Sequence, residues 1–108
     1  MNKLPAPSVY FPVAHNLGAV SDMFRALAHP LRIQICCIID EKSTACVHEI
    51  YVALNIEQSV ASQHLRILRQ ANLVYTRRKG KFIYYLLDYG KIARAYEAAG
   101  LICGNGKV

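Results

Sequence analysis

Residues 57–87 read EQSVASQHLRILRQANLVYTRRKGKFIYYLL, and this stretch predicts a helix followed by a β-hairpin. Between Glu57 and Gln70 the apolar residues Ala61, Leu65 and Leu68 recur at helical spacing, so they should form the buried side of the helix. The opposite side contains no acidic residue. It carries uncharged polar and basic side chains, namely Ser59, Ser62, Gln63 and Arg66.

The second half of the stretch is rich in Tyr, Thr, Phe and Ile, which favours two strands between Val74 and Leu87. The basic run 78–81 lies in the middle and predicts the turn. No Asp or Glu occurs from Gln58 to Leu87, so this segment suits a polyanion lying across it. A solvated basic face is the other interpretation. The basic residues of the segment 58–87 are Arg66, Arg69, Arg77, Arg78, Lys79 and Lys81.

The rest of the chain predicts three helices before this stretch and one after it. Their approximate ranges are 19–28, 31–40, 46–54 and 91–102. The second of them has almost no polar side and should lie in the centre of the fold. Ser43 or Thr44 can cap the third helix, and Asn55 should stop it. The predicted fold class is therefore mainly α with a β-hairpin.

The length of the chain indicates one domain, and its high hydrophobic content indicates that this domain associates with a second subunit. The 108 residues are enough for a core without disulfide or metal staples, and 54% of them are hydrophobic. Residues 1–16 should form an N-terminal arm, 17–103 the folded domain that also dimerises, and 104–108 a flexible tail. Apolar stripes on the first and last helices predict a homodimer. These stripes comprise Phe24, Leu27, Ile92, Tyr96 and Ala99.

Neither a signal peptide nor a membrane span is expected, because prolines interrupt the apolar residues near the N-terminus. We therefore expect a cytoplasmic protein with no membrane partner. Its four cysteines should be mostly reduced there, unless they act as sensors or metal ligands.

The short helix at 46–54 is joined by a tight turn to the helix at 57–70, and the basic hairpin follows directly. Together these elements predict that the domain at 17–103 binds double-stranded DNA by a winged helix-turn-helix. Ser62 and Gln63 can meet base edges in the major groove. The hairpin would be the wing, whose bases Arg77, Arg78, Lys79 and Lys81 contact phosphates. A protein-interaction module with an acidic partner stays open. An enzyme is not expected, because no phosphate loop, acid pair or Cys-His signature occurs, and no cofactor is predicted.

Four motifs together resemble the ArsR family of bacterial repressors. They are FRALAHPLR at 24–32, QSVASQHLRIL at 58–68, ANLV at 71–74 and RRKGK at 77–81, and the resemblance covers roughly residues 20–90. It implies a dimeric winged-helix repressor with four helices, two strands and a fifth helix in that order. Residues 77–81 fall on the wing of the family. Its recognition-helix positions fall on Gln58, Ser59, Ser62, Gln63 and His64. For His64, helix packing by hydrogen bonding is the alternative.

The inducer that the resemblance implies depends on cysteines and histidines. Cys46 and His48 lie where several metal sensors of the family have a Cys-x-Cys motif, but only half of that motif is present. The carboxylate and histidine site of the last helix also departs from the family. Asp88 is in place, whereas Gly90 stands at a ligand position, and Arg94 and Glu97 offer no histidine pair.

Cys37 and Cys103 match the two cysteines of the sulfide- and oxidant-responsive repressors of the family. In that branch the two thiols resemble a redox switch that relieves repression when reactive sulfur or an oxidant appears. The alternatives are a soft metal ion bound with Cys46 and His48, or a purely structural role, in which a cysteine on an apolar helix is a buried and inert core residue. Cys36 is expected in core packing, and a role as an alternative partner in the bridge stays open.

Overall fold

The computed structural model describes the backbone of residues 17–103 and the side chains of residues 18–97. The predicted arm at 1–16 and tail at 104–108 lie outside the described residues. The elements are α1 (Leu17–Leu27), α2 (Pro30–Lys42), β1 (Ala45–Cys46), α3 (Val47–Leu54), α4 (Gln58–Gln70), β2 (Val74–Lys79), β3 (Phe82–Leu87) and α5 (Tyr89–Cys103). Their order confirms a mainly helical winged helix-turn-helix fold.

The sheet has a third strand that the sequence analysis did not predict. β1 pairs antiparallel with β3, so the strand order is β1-β3-β2, with Ala45 opposite Tyr85. Because β1 has only two residues, it is too short to show an alternating pattern. The turn is also shorter than predicted: it is the pair Gly80-Lys81, and Gly80 has a φ of 63°. Arg78 and Lys79 therefore lie on β2 and not in the turn.

The ends of α2 and α3 differ in detail from the prediction. His29 caps the start of α2, where its Nδ1 accepts the Leu31 N–H at 3.1 Å and Pro30 occupies the first turn. Ser43 ends α2 with a φ of 69°, so it does not cap α3. The cap residue of α3 is Cys46, whose N–H is bound by the Glu49 carboxylate at 3.0 Å.

The core lies between α2, α3, α4 and the inner side of the hairpin. Its largest fully buried side chains are Ile35, Ile39, Ile50, Leu65, Leu68 and Leu73. The prediction that α2 is central was only half right, because Ile33 is 46% exposed and Cys37 is exposed. Helix α2 therefore packs one side against the core and leaves the other open. No helix in the described part of the chain is long and apolar enough to cross a membrane.

Candidate nucleic-acid interface

The outer side of α4 is open to solvent along its length. Ala61, Leu65 and Leu68 are fully buried and fix the rotation of the helix about its axis. The opposite side chains are all exposed, namely Gln58, Ser59, Ser62, Gln63 and Arg66. The arrangement provides donors and acceptors without an acid, as contacts with base edges and phosphates require.

His64 differs from the other predicted contact residues because its side chain is half-buried against α2. Its ring centroid lies 4.7 Å from that of His29, and its Nδ1 lies 3.3 Å from Nη1 of Arg32. Since a guanidinium only donates, this nitrogen of His64 must accept. Burial, and then the neighbouring His29 and Arg32, lower the pKa of His64. These contacts favour the packing role for His64.

Arg32 joins three helices, and the sequence analysis did not single it out. Its Nε donates to the Ala26 carbonyl at 2.6 Å, and its Nη2 donates to the Arg25 carbonyl at 3.1 Å. These carbonyls belong to the last turn of α1, where the regular helical partners are missing. The Arg25 carbonyl also accepts the Ala28 N–H at 3.3 Å. The same guanidinium reaches His64 on α4. The only sequence signal was the position of Arg32 in the 24–32 motif.

The wing, residues 74–87, presents its basic side chains to solvent. Arg77, Arg78, Lys79 and Lys81 are all exposed. Among the side chains that the structure describes, the ion pairs are Arg25 with Asp22 and Lys42 with Glu49, and neither involves the wing. The basic side chains of the wing are therefore available for an anionic ligand.

Only residues 71–73 separate α4 from the wing, and they hold the two in a fixed relation. The Leu73 N–H donates to the Leu68 carbonyl at 3.0 Å, and the Leu73 carbonyl accepts from the Asp88 N–H at 2.9 Å. Asn72 adopts a left-handed φ of 63°, which turns the chain sharply. The basic hairpin therefore starts directly beside the end of α4.

The cysteines of α2 have different surroundings. Cys37 is exposed, so it is not the buried core residue that the structural alternative assumed. Burial, and then the neighbouring Cys37, raise the pKa of the half-buried Cys36 thiol to about 11, so Cys36 stays protonated near pH 7. Cys103 ends α5, but its side chain lies outside the described residues. The predicted meeting of Cys37 and Cys103 therefore stays a prediction.

The alternative metal residues lie at the start of α3. Cys46 is half-buried, whereas His48 is exposed. The ring centroids of His48 and Tyr51 lie 5.2 Å apart, and the two ring planes are nearly perpendicular at 76°. Within residues 18–97 no three His, Cys, Asp or Glu side chains are grouped so that they could hold a metal ion. Asp88 instead accepts the Lys91 N–H at 3.0 Å and thereby caps α5. A metal site here would need ligands from elsewhere.

An apolar groove of about 320 Å³ lies between α1 and α5. It is lined by Phe24, Leu27, Ala28, Ile92, Ala95 and Tyr96. Tyr96 is 81% exposed, whereas Ala95 is buried. Four of the five residues predicted for the dimer stripes line this groove, and the side chain of the fifth, Ala99, lies outside the described residues.

Comparison with known proteins gives consistent matches. Residues 29–76 match the family described as bacterial regulatory protein, arsR family. The HTH-type transcriptional repressor SmtB of Mycobacterium tuberculosis is 42% identical over 83 residues, which are 77% of this chain and 58% of that protein. The biofilm growth-associated repressor of Agrobacterium fabrum is 39% identical over 79 residues, which are 73% of this chain and 67% of that protein. The structure of reduced HlyU from Vibrio cholerae is 31% identical with a TM-score of 0.64, and the match covers 82% of this chain and 94% of that one.

The chain thus spans less than two thirds of the mycobacterial relative, but two thirds or more of the other two. The first two relatives are repressors by name, in agreement with the expectation that this chain is not an enzyme. The resemblance inferred from the four motifs is confirmed at the level of the family. This chain belongs to the arsR family of bacterial regulatory proteins.

Proposed function

We propose that this protein is a homodimeric transcriptional repressor that binds an inverted-repeat operator in double-stranded DNA. The observation that carries the proposal is the exposed, acid-free outer side of α4. It lies directly before a wing whose basic side chains are exposed and form no ion pair within residues 18–97. The two repressors among the relatives support it.

The two parts of this surface have different tasks. Ser59, Ser62 and Gln63 would read base edges in the major groove, because their side chains both donate and accept. Phosphate contacts would come from Arg66, Arg77, Arg78, Lys79 and Lys81, which supply affinity and register but little choice of sequence. His64 is left out of the proposed contacts, since it is bound to α2.

The second subunit would cover the groove between α1 and α5. The groove is almost wholly apolar, and the large ring of Tyr96 stands open at its edge. Burial of such a patch is a common driving force for association. Two copies related by a two-fold axis would present their α4 helices to successive major grooves.

The inducer would act through Cys37 and Cys103. With a polysulfide, a thiolate attacks a terminal sulfane sulfur and becomes a persulfide, while the S–S bond of the polysulfide breaks and the shortened polysulfide leaves. The other thiolate then attacks the inner sulfur of that persulfide, and the disulfide forms as hydrosulfide leaves. With peroxide, two thiols lose two electrons and two protons to give the disulfide, while H2O2 becomes two waters. The exposure of Cys37 supports this role, because reaction needs access.

A soft metal ion is the second candidate inducer. Cys46 and His48 supply a thiolate and an imidazole two residues apart, and both are ligands of zinc and related ions. The other ligands would have to come from residues 1–17, from residues 98–108 or from the second subunit.

Salt-dependent binding to random duplex DNA tests the proposed DNA binding. We expect a dissociation constant that is micromolar or tighter at low salt and that rises steeply with ionic strength. Binding to acidic peptides without duplex binding would instead indicate a protein-interaction module. Mass spectrometry after separate exposure to polysulfide, peroxide and zinc, with DNA affinity measured for each sample, distinguishes the two inducers.

A further inference from the structure

One side of the hairpin combines aromatic and basic side chains. The strand register places Arg77 opposite Tyr84 and Lys79 opposite Phe82, and side chains alternate between the two sides of a strand. Tyr75 and Leu86 face each other on the same side. We call this side the aromatic-basic face and define it as Tyr75, Arg77, Lys79, Phe82, Tyr84 and Leu86.

Two rings of this face, Tyr75 and Phe82, are exposed and have a cation beside them, and the third, Tyr84, is half-buried. Phe82 is 50% exposed and Tyr75 is 41% exposed. The ring centroids of Phe82 and Tyr84 are 6.4 Å apart. Nζ of Lys81 lies 5.7 Å from the Phe82 ring, and Cζ of Arg77 lies 6.0 Å from the Tyr75 ring. A groove of about 460 Å³ runs here, and Tyr84, Arg77, Lys79, Arg78, Leu86 and Thr44 line it.

The fold does not need these rings for its core. The other side of the hairpin joins the core through Val74 and Leu87, which are 2% and 7% exposed. Thr76, Tyr85, Arg78 and Ile83 continue that other side toward the turn. The aromatic side chains of the open face therefore stabilise little in the isolated chain, and exposed apolar surface of this kind marks an interaction site.

The charges of the face restrict its ligand. No Asp or Glu occurs between Gln58 and Leu87, so a second copy of this face would be repelled and an anionic ligand attracted. Duplex DNA offers the anion but keeps the faces of its bases stacked inside the helix. A single strand offers both phosphates and free base faces, and aromatic side chains between bases are how such strands are bound.

We propose that the aromatic-basic face binds single-stranded nucleic acid, with bases stacked on Phe82 and Tyr84 and phosphates paired with Arg77, Lys79 and Lys81. This activity is separate from operator binding through α4. Because Arg77 and Lys79 would serve both ligands, a single strand and a duplex should compete for the wing.

A tryptophan placed on the face detects stacking directly. The chain contains no tryptophan, so Phe82→Trp introduces a single fluorophore. Titration with the oligonucleotides dT12 and rU12 should quench its fluorescence saturably, because stacked bases quench indole. The two oligonucleotides also separate the sources, since a preference for one identifies DNA or RNA as the strand. Absence of saturable binding to both would overturn the proposal.

Substitution separates stacking from charge attraction. Phe82→Ser alone, and with Tyr84→Ser, should weaken dT12 or rU12 binding by about tenfold or more in fluorescence anisotropy. Ile83→Ser is the matched control: Ile83 is 43% exposed on the same strand but on the other side, so affinity should change less than twofold. Circular dichroism checks the fold, and the Phe82 variant alone keeps the test valid if the double variant unfolds. Equal affinities for Phe82→Ser and Ile83→Ser would show attraction by charge only and overturn the proposal.

Discussion

At the level of single residues, neighbouring side chains of α4 have separate tasks. Leu65 is fully buried, His64 contacts α2, and Gln63 is exposed. A helix rotates about 100° per residue, so three consecutive residues cannot share one environment. The different surroundings of Gln63, His64 and Leu65 follow directly from this rotation.

We expect Gln63→Ala to lower the preference for operator over random DNA by about 1 to 3 kcal/mol. The amide can bond a base edge in two places, and alanine cannot. Gln34→Ala removes an exposed glutamine from α2 and serves as the control. Binding to both DNAs would be measured by fluorescence anisotropy. Equal losses on the two DNAs would show that Gln63 positions the helix and does not read a base.

His64 should make the fold sensitive to mild acid. Its pKa is lowered in the folded state, by burial and then by His29 and Arg32, whereas the unfolded chain titrates near 6.5. The unfolded chain therefore binds the proton first, and stability that is present above about pH 6.5 is lost as the pH falls toward the lowered pKa. Protonation also removes the acceptor that Arg32 uses.

The midpoint of urea unfolding should accordingly decrease between about pH 7 and pH 5.5. His64→Gln keeps an acceptor for Arg32 without the titration, so its midpoint should decrease less. His48→Gln removes an exposed histidine and should behave like the unchanged protein. The same pH dependence in all three proteins would rule out His64 as the cause.

At the level of elements, the wing should bind duplex DNA through its charge. Changing Arg77, Arg78 and Lys79 to Gln should weaken binding to all duplexes alike. The slope of log affinity against log salt should become shallower by about 0.9 for each phosphate that the variant no longer neutralises. Arg94→Gln, which removes an exposed basic side chain from α5, is the control. An unchanged slope in the triple variant would exclude the wing from the DNA interface.

The helices and the hairpin were predictable from the sequence because their patterns extend over many residues. Each predicted helix has its counterpart in α1 to α5, and Asn55 ends α3 in the left-handed conformation as expected. The strand β1 was not predictable, because two residues carry no periodicity. The bridge formed by Arg32 was missed as well, since its partners lie 6, 7 and 32 residues away and depend on how three helices pack.

At the level of the whole molecule, α5 connects the proposed dimer groove to α2. The Tyr89 hydroxyl donates a hydrogen bond to Asp40 near the end of α2, one turn after Cys37. Cys103 lies 14 residues beyond Tyr89, about 21 Å along a straight helix. A bridge from Cys103 to Cys37 would draw the far end of α5 toward α2. We expect such a movement to alter the groove and thus the spacing of the two α4 helices.

Oxidation by polysulfide or peroxide should therefore release the operator through a bridge within one subunit. Cys37→Ser and Cys103→Ser should bind DNA normally when reduced and should no longer release it. Cys36→Ser is the control, because burial raises the pKa of this thiol and makes it a poor nucleophile. Release by the double variant Cys37→Ser and Cys103→Ser, or a covalent dimer on a non-reducing gel, would contradict this switch.

The most direct test of DNA reading by a dimer is selection of binding sites from a pool of random duplexes with the reduced protein. We expect enrichment of an inverted repeat whose half-sites are centred one helical turn, about 10 to 10.5 base pairs, or a multiple of it, apart. Enrichment should disappear with Gln63→Ala combined with Ser62→Ala, while binding to the unselected pool remains. A pool that stays random after repeated selection, or that yields a single unrepeated site, would rule out the reading of DNA by a dimer.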